Sequence, residues 1–395
     1  FILMESLTRL KKTVYLSLGI ILLGLLGFFL YRYFISSAVT PPAPQEQVSG
    51  RLPPLPSGTA EGKIPAGAKP APEITGAPEE KLVKIADFPV VSPSLNKEEN
   101  KIYYYKKDGG DLFSSDFSGQ NQEKISNLTV VGLNEALWSP ARDRRAVFYL
   151  DGETLKSFLH IGTSSVALLP QNMKSFSWSP DGKSLAYLLA KNGRLDLSVA
   201  DSSGKSARAI FSTPLLDAQI KWVSADKIAF QTAPSGLAEG HLFIFSRSSG
   251  AFRKIVGPLF GLMNSWSPDG SRVLISSTRN NGTGLAPEVR DTTGNLLFVM
   301  DAPTLPEKCV WASNDELYCA VPRLIPTEAI LPDDYLRGTL NTQDQLVLFN
   351  LAKKETKTLF SNQGFDMANL LINKSSDRIF FVNRVDGSLW SLKIR

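Results

Sequence analysis

Along most of the chain the apolar positions fall in short runs of four to eight residues, separated by Gly, Asp, Asn and Ser clusters. From Lys81 to Arg395 no long segment repeats every 3.6 residues, so the pattern predicts an all-β region. The runs recur in a fixed frame. Trp138, Trp178, Trp222, Trp266 and Trp311 each precede an apolar strand start by six or seven residues, and they are spaced 40, 44, 44 and 45 apart. Two degenerate members, Leu95 before Ile102 and Ile372 before Ile379, extend the frame to seven anchors. A period of 40–45 residues with four short strands is that of a β-propeller blade.

The third unit shows the pattern best. MKSFSW is read as an inner strand, Pro180-Asp181-Gly182 as a tight turn and SLAYLLA as the second strand. Lys191 to Arg194 is the next turn, LDLSVAD the third strand and ARAIFST the outer strand. The five tryptophans are expected to be structural anchors between blades. The last unit supplies only three strands, DMANLLI, RIFFVNR and SLWSLKI, while KLVKIA at 81–86 is left over at the other end. That segment is expected to complete the last blade and remove its free edge.

The N-terminal pattern differs. Nineteen uncharged residues between Lys12 and Arg32 approach the roughly 20 needed to span about 30 Å of hydrocarbon. Arg9, Lys11 and Lys12 precede them, which predicts a basic cytoplasmic end over 1–12, a transmembrane signal anchor over 13–35 and export of the remainder of the chain. The competing reading is a cleaved signal peptide ending at Ser36-Ser37-Ala38. With Phe1 in first place, the start is expected at Met4 or upstream. Residues 36–80 hold ten prolines and no aromatic residue between Thr40 and Glu80, and read as a disordered spacer. The alternative for Pro53-Pro54-Leu55-Pro56, a ligand for SH3-like grooves, suits an exported segment poorly.

The Trp-Ser-Pro-Asp-Gly segments at Trp178 and Trp266 resemble the WD40-like (PD40) and TolB-like propeller repeats of bacterial envelope proteins, over residues 81–395. That resemblance implies a propeller. Seven blades are expected from the anchors, with six or eight as alternatives because TolB-like propellers are often six-bladed. The propellers of prolyl oligopeptidases are also similar, but no Gly-x-Ser-x-Gly elbow accompanies them here. A lyase of the oligogalacturonate type would imply histidines clustered on a divalent metal. Only His160 and His241 are present, both on predicted strands and both read as structural.

Composition narrows the chemistry further. No phosphate-binding Gly-rich loop, HExxH or Cys-x-x-Cys occurs, so no catalytic residue, cofactor or metal ligand is assigned. Residues 81–395 carry 36 basic against 32 acidic side chains, which is not the balance of a nucleic-acid binder. Cys309 and Cys319 flank one predicted hairpin, either as a disulfide or as two buried thiols. Loops between second and third strands lengthen along the chain to the longest, 321–345. There Ile330, Leu331, Asp333, Asp334, Tyr335 and Arg337 suit either a partner-binding loop or a lid. The leading expectation is a membrane-anchored, non-catalytic propeller that binds or scaffolds a protein partner outside the cytoplasmic membrane. The alternative is a propeller enzyme acting on envelope or extracellular glycans.

Overall fold

A computed structural model describes residues 81–361 and 364–395. The expected basic end, anchor and spacer over 1–80 lie outside the described residues. Among the described residues no helix is long and apolar enough to cross a membrane. They form antiparallel strands, interrupted by the one-turn helix Asp333–Leu336 and the 3-10 turn Pro306–Lys308.

Each repeat is an antiparallel meander. The third runs Met173–Trp178, Ser184–Lys191, Arg194–Asp201 and Arg208–Thr213, hydrogen-bonded in that order. Its second and third strands meet at Lys191 opposite Arg194. Asn192 and Gly193 between them both have positive φ, the conformation that lets a two-residue turn follow the strand twist. Leu185, Ala186, Tyr187 and Leu188 are all buried, because a neighbouring sheet covers each face of this strand.

The recurring Ser-Pro-Asp-Gly segment is a hydrogen-bonded turn. Ser179 Oγ donates to Asp181 and accepts the Ser184 N–H, while Gly182 N–H closes the turn on Ser179 O. Ser267, Asp269 and Gly270 repeat the arrangement. The fourth residue after the anchor has positive φ in five repeats, as Glu99, Arg142, Gly182, Gly270 and Ser376. Non-glycine residues are strained there. Ser376→Gly is therefore expected to stabilise the protein by about 0.5–1 kcal/mol, read as a raised thermal midpoint.

Six hydrogen-bonded sheets result, five of four strands and one of seven. The seven-stranded sheet departs from the regular reading. It is the fourth and fifth repeats sharing one 15-residue strand, Phe252–Trp266, as the outer strand of one and the inner strand of the other. The link between these repeats is so short that the chain stays extended across it, bending at Gly257 and Gly261, both at positive φ.

Hydrophobic clusters sit between consecutive repeats. Leu188 and Leu197 of the third pack on Ile220 and Trp222 of the fourth, and Leu274 and Val289 of the fifth on Trp311 of the sixth. One cluster joins the last repeat to the first, uniting Phe380, Val382 and Leu389 with Leu95, Ile102 and Tyr104. The strand Leu82–Ala86 pairs with Leu389–Lys393 at the outer edge of the last sheet, Leu82 opposite Leu392 and Lys84 opposite Trp390. Its Ile85 and Ala86 are buried in the joining cluster. The first strand of the fold thus finishes the last sheet, which leaves no seam between the two ends of the repeat array.

Candidate functional site

The inner strands of the second to fifth repeats converge on a shared cavity of about 680 Å³. It opens on the face of the Ser-Pro turns, here termed lower, and its wall includes Trp138, Trp178, Trp222 and Trp266 with Pro140, Pro180 and Pro268. The indoles are held from repeat to repeat. Trp138 Nε1 donates to Ser92 O at 2.9 Å and Trp178 Nε1 to Leu137 O at 2.8 Å. The ring of Trp222 lies 4.6 Å from the Arg247 guanidinium, and Trp311 is buried between the fifth and sixth repeats. These side chains pin neighbouring inner strands together and fix the wall of the cavity.

A polar alcove of about 310 Å³ opens from the same wall, between the inner strands of the fourth and fifth repeats. Gln219, Gln231 and Asn264 line it, and Lys221 and Trp266 line both spaces. Lys221 is exposed to solvent, yet the surrounding inner strands take away part of its bulk water, and this desolvation lowers its pKa. Nearer the upper face stand Glu135 and Glu307, whose carboxyls are raised by desolvation. Arg384 opposes the shift at Glu307 and Glu135 adds to it.

The loop 323–343 lies across the upper face, from the fourth repeat to the seventh. Asp333 accepts hydrogen bonds from Ser235 Oγ and Gly236 N–H, and Leu331 N–H donates to Gly282 O. Arg384 donates to Tyr335 O at 2.9 Å, with its guanidinium 4.0 Å from the tyrosine ring. Leu331 and Tyr335 are only 3% and 5% exposed, packed with Met263, Leu305, Ala329 and Leu340. Of the two expectations for this loop, partner-binding segment or lid, both residues bear on the second: they face inward, where the loop spends its apolar groups on its own attachment. Asp334 accepts the Ile330 N–H, Ile330 is half-buried, and Arg337 alone of the six candidates is well exposed.

Beneath the loop lies a network that sequence reasoning missed. Lys308 Nζ stands 2.8 Å from Asp344 and 2.7 Å from Asp366, and all three side chains are at most 1% exposed. Thr342 bonds Asp366 through both its N–H and its hydroxyl, and Arg384 lies 3.7 Å from the same carboxylate. Burial raises the Asp344 carboxyl against the opposing pull of Lys308. Lys308 and Asp366 immediately precede the inner strands Cys309–Trp311 and Met367–Ile372 and Asp344 begins the third strand of the sixth repeat, positions that no local pattern in the sequence singles out.

The two histidines are apart. His241 is the third residue of the strand Glu239–Ser246 in the fourth repeat, and its backbone N–H donates to Thr232 Oγ1. His160 is fully buried in the second, its Nδ1 2.7 Å from the Arg145 guanidinium, which also donates to Tyr105 Oη and lies 5.0 Å from the Trp138 ring. Burial, reinforced by Arg145, pushes the imidazole down to about 4 from its ordinary 6.5. A histidine lowered in the fold contributes stability above its unfolded pKa and loses it as pH falls through the folded one. Stability is therefore expected to drop by about 3 kcal/mol between pH 6.5 and pH 4 from this group. His160→Asn should flatten that part of the pH–stability curve.

Cys309 and Cys319 face each other across one strand pair and are joined as a disulfide, with Cα atoms 4.1 Å apart. Among the described residues no group of three His, Cys, Asp or Glu is placed to hold a metal ion.

No family profile matches the chain, and no curated protein matches it in sequence. Solved structures do match in shape. Oligogalacturonate lyase from Vibrio parahaemolyticus aligns at a TM-score of 0.56 and 10% identity, over 80% of this chain and 91% of that one. The β-propeller domain of the Trilobed protease from Pyrococcus furiosus aligns at 0.54 and 12% identity, over 77% of this chain and 95% of that one. TolB from Acinetobacter baumannii aligns at 0.43 and 13% identity, over 70% and 64%. At these identities the likeness defines the fold, an antiparallel β-propeller, and carries no activity with it.

Proposed function

We propose that this chain is a membrane-anchored, seven-bladed propeller that acts outside the cytoplasmic membrane as a non-catalytic receptor or scaffold for a protein partner. The proposal places the segment 13–35 in the membrane with 1–12 in the cytoplasm, and 36–80 as the tether. The observation that carries the reading is the lower cavity. Its wall is built from the repeats' own Trp-Ser-Pro segments, so the residues that hold the blades together also shape a mouth of mixed polar and apolar lining. The upper loop is secured to several repeats and serves as a cover, so contact with a partner is assigned to the lower mouth.

The test is co-purification from native membranes. Pro140→Glu/Pro180→Glu/Pro268→Glu places three charges on the exposed lower rim, and is expected to lose a partner that the unaltered chain retains. Leu324→Glu on the upper loop should keep it. Equal recovery by both variants would contradict the assignment.

A second reading draws on Glu135 and Glu307. Two solvent-accessible carboxyls whose pKa values are raised by partial desolvation are the groups a glycan-cleaving propeller would use as acid and base. Turnover of oligogalacturonate or another acidic glycan that is lost in Glu307→Gln would favour it.

A further inference from the structure

We propose that the alcove beside Lys221 is a subsite for the free C-terminal carboxylate of an extended peptide that enters by the lower mouth. The inference rests on the receptor reading and names the part of the partner that is gripped.

Lys221 is the starting point. Among the described residues it has no ion-pair partner, yet it lines both the alcove and the cavity leading to it. A solvent-accessible ammonium that lines a recess and has no counter-ion is a ready site for an incoming anion. The neighbouring carboxamides specify which anion. Asn264 Nδ2 donates to Gln231 Oε1, and this bond leaves one amide NH2 and one amide oxygen of the pair without a protein partner. Reversing both carboxamides gives the same inventory, one donor and one acceptor. A peptide C-terminus needs this set. Its carboxylate takes the ammonium and the NH2 donor, and its last N–H takes the amide oxygen.

Position and shape agree. The loop 323–343 lies across the far mouth, so a chain end fits where a threaded loop does not.

The experiment uses the full chain in detergent and affinity-selection mass spectrometry. One probe is a pool of N-acetyl pentapeptides randomised in their last three residues with free C-termini, and the other is the same pool C-terminally amidated. Free acids are expected to be retained, the amides at least about tenfold less, as for loss of one charge-assisted hydrogen bond. Lys221→Met should reduce the acids to the level of the amides at an unchanged thermal midpoint, while Lys221→Arg retains much of the binding. Equal retention of acids and amides, retention of neither, or full retention by Lys221→Met would overturn the proposal. So would Lys221-dependent binding of trigalacturonate in place of the peptides, which would give the alcove to acidic sugars. If the lower-rim variant still loses its protein partner while no peptide acid binds, this inference falls and the receptor reading stands. Failure of both removes that reading too.

Discussion

Replacing Asp366 by alanine is expected to lower stability by about 3–5 kcal/mol, the cost of breaking a buried ion network by removing one of its members. Asp366 is wholly buried and faces Lys308 at 2.7 Å, the Thr342 N–H and hydroxyl at 3.0 Å, and Arg384 at 3.7 Å. Its removal leaves Asp344 as the one carboxylate facing Lys308 and strips Thr342 of two hydrogen bonds. The result is read as the fall in thermal midpoint of the full chain. Lys308→Met in the same background should deepen the loss, because Asp344 then keeps no cation beside it. A fall of under about 1 kcal/mol would mean that the network does not hold the sixth and seventh repeats together. Since Thr342 belongs to the upper loop and Arg384 holds Tyr335, hydrogen exchange over 323–343 should accelerate in the same variant.

The second large effect separates two glycines that look alike in sequence. Gly182 and Gly270 occupy the same place in Trp-Ser-Pro-Asp-Gly and both have positive φ, +69° in each. A methyl group at Gly182 would meet Pro140 Cδ at 3.5 Å, an ordinary contact, whereas at Gly270 it would overlap the Val223 carbonyl oxygen. Gly182→Ala carries only the backbone cost, about 1–2 kcal/mol. Gly270→Ala adds displacement of a neighbouring strand end, about 1–3 kcal/mol more. Chemical denaturation of the two variants side by side gives the comparison, and equal losses would show that the fourth repeat yields freely at Val223.

The architecture was legible because it repeats. A tryptophan every 40–45 residues, a Ser-Pro-Asp-Gly turn behind it and a spare strand at 81–86 are each local signals, and each reports a contact made many times in this fold. The shared strand Phe252–Trp266 was not legible, since a link and a strand read alike when the link is apolar and short. The candidate site was less visible. Lys221, Gln231 and Asn264 are far apart in sequence and gain meaning only when the inner strands of two repeats meet. The upper loop was singled out by its length, but length does not tell which way Leu331 and Tyr335 turn. Their burial depends on Met263 of the shared strand, on Leu305 of the connection into the sixth repeat and on Arg384 of the last repeat.

Recognition at the lower mouth is tested most directly by site-specific photo-cross-linking in native membranes. A photoreactive residue at Pro180, on the lower rim, is compared with one at Leu324, on the upper loop. A discrete protein adduct is expected from position 180, absent when Lys221 is replaced by methionine, and no such adduct from position 324. An adduct from 324 alone would move the functional surface to the upper loop and contradict recognition at the lower mouth.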